Sequence, residues 1–225
     1  MGLPAPAEAA VVRITTTSGA IHVVAEPGRT DVWSSTDPLD DGRLPPTIDG
    51  GSSRVRVLVP EGTDLVVGAT SGRVTIEGRV GAVSAMTTSG KVSIADAESV
   101  DVRSRSGRIE VKRTAGTCRA IATSGRVEVG RCGDADVTSG SGRISLEDVN
   151  GRVRAHCSSG RIEISMGGAH DVDAETVSGR ITVSLPAAVR ALVVPLPGDA
   201  AVGADDCDCV VVARSGSGRV DVSHR

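Results

Sequence analysis

Ser106-Gly107-Arg108-Ile109-Glu110-Val111 and, eighteen residues on, Ser124-Gly125-Arg126-Val127-Glu128-Val129 are two copies of the hexad on which the fold rests. Its leading word recurs at Ser71-Gly72-Arg73-Val74, Ser89-Gly90-Lys91-Val92, Ser141-Gly142-Arg143-Ile144, Ser159-Gly160-Arg161-Ile162, Ser178-Gly179-Arg180-Ile181 and Ser217-Gly218-Arg219-Val220. From Gly72 onward the glycines are separated by 18, 17, 18, 17, 18, 19 and 39 residues. The last step is two periods, so a degenerate repeat is expected inside it. Self-similarity at a short fixed period means stacked units, each burying its apolar edge against its neighbours. A ninth copy without the cation, Ser18-Gly19-Ala20-Ile21, lies 53 residues before Gly72, close to three periods, so irregular rungs are expected between them.

Each Ser-Gly-cation is followed by an apolar-polar-apolar run: Val74/Ile76, Val92/Ile94, Ile109/Val111, Val127/Val129, Ile144/Leu146, Ile162/Ile164 and Ile181/Val183. Period-two alternation of β-branched residues is the mark of a half-buried strand. Ten to twelve residues past each glycine comes a second strand of smaller residues: Val83/Ala85, Val100/Val102, Cys118/Ala120, Ala135/Val137, Val153/Ala155 and Val172/Ala174. Turn pairs such as Glu77-Gly78 and Asn150-Gly151 separate the two. The fold expected is all-β: a single-stranded parallel β-helix or solenoid, with rungs of about 18 residues, two main strands per rung and atypical capping rungs at both ends. With rungs about 4.8 Å apart, ten to twelve of them make a rod roughly 50 Å long.

At the corner, glycine supplies a positive φ or a tight approach that a Cβ would obstruct. The serines of the motif (Ser71, Ser89, Ser106, Ser124, Ser141, Ser159, Ser178) are read as structural. Their hydroxyls are expected to satisfy a corner backbone group or to bond serine to serine up the stack. A nucleophile occurs once, whereas these occur at every corner.

The whole chain is divided as one domain, residues 1–225. Residues 1–10 are a lead-in of Pro and Ala, 11–70 the N-terminal cap and irregular rungs, 71–185 the regular rungs, and 186–225 the C-terminal cap and last rung. Within the N-terminal part, residues 29–35 hold a short strand with Trp33, residues 36–51 a loop, and residues 53–60 another strand. The aromatic content is a single Trp33, with no Phe and no Tyr. A deep core uses aromatic rings to fill its larger spaces. This chain therefore has a thin interior that Val, Ile, Leu and Ala can fill. The net charge of -3 gives bulk attraction to polyanions no support.

Residues 1–10 carry neither a basic n-region nor an apolar h-region, so no signal peptide is read and the expected location is cytoplasmic. An envelope location would follow if an export signal had once preceded them. The longest apolar run, residues 187–196, is too short for a membrane span and is broken by Arg190 and Pro195. Five cysteines at 118, 132, 157, 207 and 209 are an odd number without framework spacing, which suits a reducing compartment. Cys118 and Cys132 fall in apolar columns, and Cys207 and Cys209 share one strand face as a buried pair in the cap. Half a metal site is not a site, so no metal and no cofactor is expected.

One further column stands out: Arg73, Lys91, Arg108, Arg126, Arg143, Arg161, Arg180 and Arg219. Each precedes an inward Val or Ile, so each points outward about one rung from the next, where like charges repel. The adjoining outward column compensates in part through Glu110, Glu128, Glu163 and Asp221, with Thr75, Ser93, Ser145 and Thr182 in the other rungs. A solvated, mutually paired ladder accounts for this with no ligand. The functional reading is a stripe for an anionic partner, phosphate-rich polymer ahead of nucleic acid, because no aromatics interleave for base stacking. His22, His156, His170 and His224 lie in unrelated columns and make no triad.

The segment Val59-Pro60-Glu61-Gly62-Thr63-Asp64-Leu65, followed by Thr70-Ser71-Gly72-Arg73-Val74-Thr75-Ile76-Glu77-Gly78, resembles the bacterial adhesin-like β-solenoid domains of unknown function. In those, a Val-Pro-Glu/Lys-Gly segment leads into Thr-x-Ser-Gly-x-Val rungs. The resemblance spans nearly the whole chain, from about Val11 to Val222. It implies a β-solenoid and an exported or membrane-tethered setting linked to cell-envelope stress, and it supplies no catalytic residues. The chain departs in carrying Arg or Lys where many relatives carry Asp or Asn.

Three functions follow as expectations. The first is a non-enzymatic scaffold whose partner is another protein or a second copy of the chain. The prolines at 45, 46, 186, 195 and 197 would blunt its ends against open-ended stacking. The alternative is a module that binds an anionic polymer through the Arg column. An enzyme would need a cleft in residues 36–51 or 186–206, where no reactive pair stands.

Overall fold

A computed structural model describes residues 11–36, 47–194 and 207–225. Pro45, Pro46, Pro195 and Pro197, and most of the two segments named as possible clefts, lie outside the described residues. In chain order the strands are β1 (Val11–Thr16), β2 (Ile21–Glu26), β3 (Trp33–Ser34), β4 (Thr47–Asp49), β5 (Val55–Pro60), β6 (Asp64–Thr114), β7 (Cys118–Arg131), β8 (Ala135–Val149), β9 (Val153–Met166), β10 (Val172–Leu185), β11 (Ala191–Val194) and β12 (Cys209–His224). β6 runs through three rungs without leaving the ladder, and β7, β8, β9, β10 and β12 are one rung each. β1 with β2 makes a rung, β4 with β5 another, and β11 half of one. Pairing between successive strands is parallel, apart from Trp33 and Ser34 of β3, which run antiparallel to Leu58 and Val57.

The two apolar columns read from the sequence form the core. Every large position from Val74/Ile76 to Ile181/Val183 is buried, and so is every small one from Val83/Ala85 to Val172/Ala174. A third inward column, including Val80, Cys132, Val149, Met166 and Leu185, closes the opposite turn. One hydrophobic cluster therefore runs the length of the stack. Ladder register is column on column: Gly107 pairs with Gly125, Gly125 with Gly142, Gly142 with Gly160 and Gly160 with Gly179.

The corner glycines are forced. Gly125 has φ of +129°, and a Cβ built there would fall on the carbonyl oxygen of Gly107 in the rung below. The corner serines behave differently from the expectation. Among the described residues, Ser124 is the one whose hydroxyl makes a hydrogen bond, to the Arg105 carbonyl at 3.4 Å, and no serine ladder forms. A buried column three residues before most of the corner glycines carries a small polar side chain: Thr87, Ser104, Ser139, Cys157 and Thr176. Thr87, Ser139 and Cys157 each donate to the carbonyl two residues on, at 3.3 Å. The hydroxyls of Ser104 and Thr176 in the same column have no hydrogen-bond partner among the described residues.

Both ends depart from chain order. The sheet runs β11-β12-β10-β9-β8-β7-β6-β2-β5-β3, with β1 between β4 and β6. The first rung, β1–β2, thus lies one place in from the end, between β6 and the later rung β4–β5. Gly72 stacks directly on Gly19, so their 53-residue separation is a single step in space, with one rung rather than two set outside it. The C-terminus repeats the device. Gly218 stacks on Gly179, and the degenerate repeat, β11, lies outside β12. Aspartates secure this order: Asp171 accepts the Val210 N–H at 3.1 Å and Asp208 the Arg190 N–H at 2.8 Å. β11 covers only Cys209–Val212, so that among the described residues the second half of β12 has β10 as its one ladder neighbour, and Val220 is 37% exposed.

Candidate functional site along the cation column

Alternation places the cation of each motif outward, because the next residue must turn into the core. The ladder then sets Arg108, Arg126, Arg143, Arg161, Arg180 and Arg219 one above another in unbroken register. Beside them the corner glycines carry no side chain. Together they bound a long open groove of about 790 Å³, with Gly107, Gly125, Gly142 and Gly160 as floor and Arg108 to Arg180 as its cationic edge.

Compensation is uneven. Arg126 meets Glu128 at 3.3 Å and Arg161 meets Glu163 at 3.4 Å, each within its own rung. Arg219 reaches Asp221 at 3.9 Å. Glu110, two residues past Arg108, is instead engaged by Lys91 from the rung below, at 2.5 Å. The Lys91 hydrogen bond is the main reason the Glu110 carboxyl is held below its usual range. The long lysine stem crosses the rung gap to the carboxylate that stands two residues past Arg108 in Arg108's own rung. Arg143 and Arg180 are followed at that position by Ser145 and Thr182, which bear no charge. Among the described residues no ion pair engages Arg73, Arg108, Arg143 or Arg180. Through the regular rungs the ion pairs therefore alternate: among the described residues Arg126 and Arg161 each have one, while Arg108, Arg143 and Arg180 have none, although the charge of Arg108 still acts on Glu110.

The remaining candidates fall elsewhere. Cys118, Cys132 and Cys157 are buried, and burial pushes the first two thiols up to about 12. Cys209 is buried while Cys207 is half-buried, so the expected buried pair holds for one member. His22 faces Glu77 at 3.3 Å, His156 faces Glu175 at 3.6 Å, and His224 meets the Val189 carbonyl at 3.1 Å; the histidines share no site. No cluster of three or more His, Cys, Asp or Glu side chains suited to a metal ion occurs among the described residues, and no helix there is long and apolar enough to cross a membrane. The sequence reading passed over the buried Ser/Thr/Cys column, although a small polar residue three places before most of the corner glycines was its visible signal.

Compared with known proteins, residues 48–195 match the profile of a family described as Toastrack DUF4097. The match runs from β4 to just past β11, and both inserted rungs, β1–β2 and β12, lie outside it. No curated protein and no solved structure matches the chain.

Proposed function

From a chain that belongs to the Toastrack DUF4097 family, a family of unknown function with a β-solenoid architecture, we propose an adhesin-like, non-enzymatic scaffold that presents repeated surface columns to a protein partner. The observation that carries this reading is the filled interior. Ile and Leu side chains such as Ile94, Ile109, Leu146 and Ile162 are at most 1% exposed apiece and fill the space between the sheets. Function is thereby left to side chains that repeat in register along flat outer faces. Repetition at a rung spacing favours extended contacts over a single enclosed site.

The test is site-specific photo-crosslinking in the source cells, with the crosslinker placed in turn at Thr138 on the small-residue sheet and Thr182 on the large-residue sheet. A discrete higher-mass adduct from one face is the expected result, and light scattering of the purified chain tells a second copy from a different protein. Absence of any adduct from both faces would overturn the reading.

A second reading is favoured by the uneven compensation of the cation column. Three arginines in register, in no ion pair among the described residues and edging a glycine-floored groove, can take an anionic polymer. Arg guanidinium forks suit phosphate and carboxylate oxygens.

A further inference from the structure

Resting on that second reading, we propose that the groove is a track for a slender, phosphate-linked linear polymer, gripped at every second rung by Arg108, Arg143 and Arg180. Each of the four floor positions is a glycine, so no side chain projects from the base of the track. The cations stand in one line along the solenoid axis and not in a ring, which fits an extended chain better than a compact anion. Arg126 and Arg161 are held by Glu128 and Glu163, whose carboxylates offset their charge and compete for their donors. The gripping points therefore recur every two rungs, about 10 Å apart, and three of them span about 19 Å.

The chemistry of the edge narrows the ligand. Nucleobases are commonly held by stacking on aromatic side chains, and the chain's one Phe, Tyr or Trp residue, Trp33, lies on β3 at the N-terminal end of the stack. A polymer that offers phosphate oxygens without rings needs no such platform. Inorganic polyphosphate and polyol-phosphate polymers share this chemistry.

The experiment measures binding of the full chain to long-chain inorganic polyphosphate, to a glycerol-phosphate oligomer and to tripolyphosphate, by anisotropy across a salt series. Two variants remove the same charge from different positions: R108Q/R143Q and R126Q/R161Q. Circular dichroism verifies that both are folded. The proposal expects long polymer to bind and tripolyphosphate to bind at least about tenfold more weakly. R108Q/R143Q should lose about tenfold or more in affinity, with a salt slope shallower by about two. R126Q/R161Q should lose clearly less. Binding of only one of the two long polymers supports the track and assigns its source. Equal losses in the two variants would overturn the alternate grip while leaving anion binding in place. Tripolyphosphate binding as tightly as long chain would overturn the track. If none of the three ligands bound the unmodified chain, the underlying anion-binding reading would itself fall.

Discussion

Gly125 holds its φ of +129° directly above the Gly107 carbonyl, whereas Gly28, at +75°, has open space where a Cβ would go. The comparison separates backbone strain from stacking. Gly28→Ala bears only the left-handed conformation, about 1 kcal/mol. Gly125→Ala adds a collision with backbone that the ladder holds in place, so a loss of at least about 3 kcal/mol is expected. Urea unfolding midpoints of the two variants measure the difference, and equal midpoints would mean the rungs can separate to admit a methyl group. The buried thiols make a second residue-scale prediction. Burial pushes Cys118 and Cys132 up to about 12, while in the unfolded chain they ionise near the ordinary thiol value of about 8.5. Their contribution is complete below that ordinary value. It is lost as pH rises toward 12, because the unfolded chain releases protons that the folded chain keeps. The chain has no Tyr, and the thiols of Cys157 and Cys209, also raised by burial, contribute alike in both proteins compared. Stability followed from pH 8.5 to 11 should fall less steeply for Cys118→Ala/Cys132→Ala than for the unmodified chain.

β11 is four residues long, and its ladder neighbour is β12, so little apolar burial fixes its position. What fixes it is a reciprocal clasp: Asp208 accepts the Arg190 N–H at 2.8 Å while its own N–H donates to the Arg190 carbonyl at 2.8 Å. A hydrogen bond to a charged acceptor contributes about 1.5–3 kcal/mol, and here it stands at the entry of a strand too short to hold itself. Asp208→Ala is expected to abolish hydrogen-exchange protection in residues 191–194 and to leave residues 144–146 protected. Retained protection in 191–194 would show that apolar contacts alone seat the strand.

The stack as a whole has unlike ends. At the N-terminal end the inserted rung β1–β2 is covered by β4–β5, and β5 is covered in turn by β3. At the C-terminal end β11 covers one half of β12, and among the described residues the other half has β10 as its one ladder neighbour, with Val220 exposed. In a repeat protein stability passes from neighbour to neighbour, so a unit bordered on one side opens first. Exchange should therefore be faster across residues 217–224 than across residues 21–26, although both are terminal in the chain. Equal rates would imply that the C-terminal edge is covered in solution by something further.

The rung was legible in the sequence. Alternation chose the inward columns, the glycines marked the corners, and the common period put Arg108, Arg126 and Arg143 in one line, because identical units stacked in register bring like residues together. Two things were left to the folded chain. A repeat states which column a residue joins but not which rung its own rung lies beside, since any two rungs offer each other the same edge. The insertion of β1–β2 and β12 one place in from the ends was decided by contacts remote in sequence, such as Asp171 to Val210. The motif likewise assigned a neighbouring carboxylate to Arg108, but Lys91, reaching up from the rung below, took Glu110 across the gap. Side chains that long choose partners between rungs as readily as within one, and only their positions in space decide which.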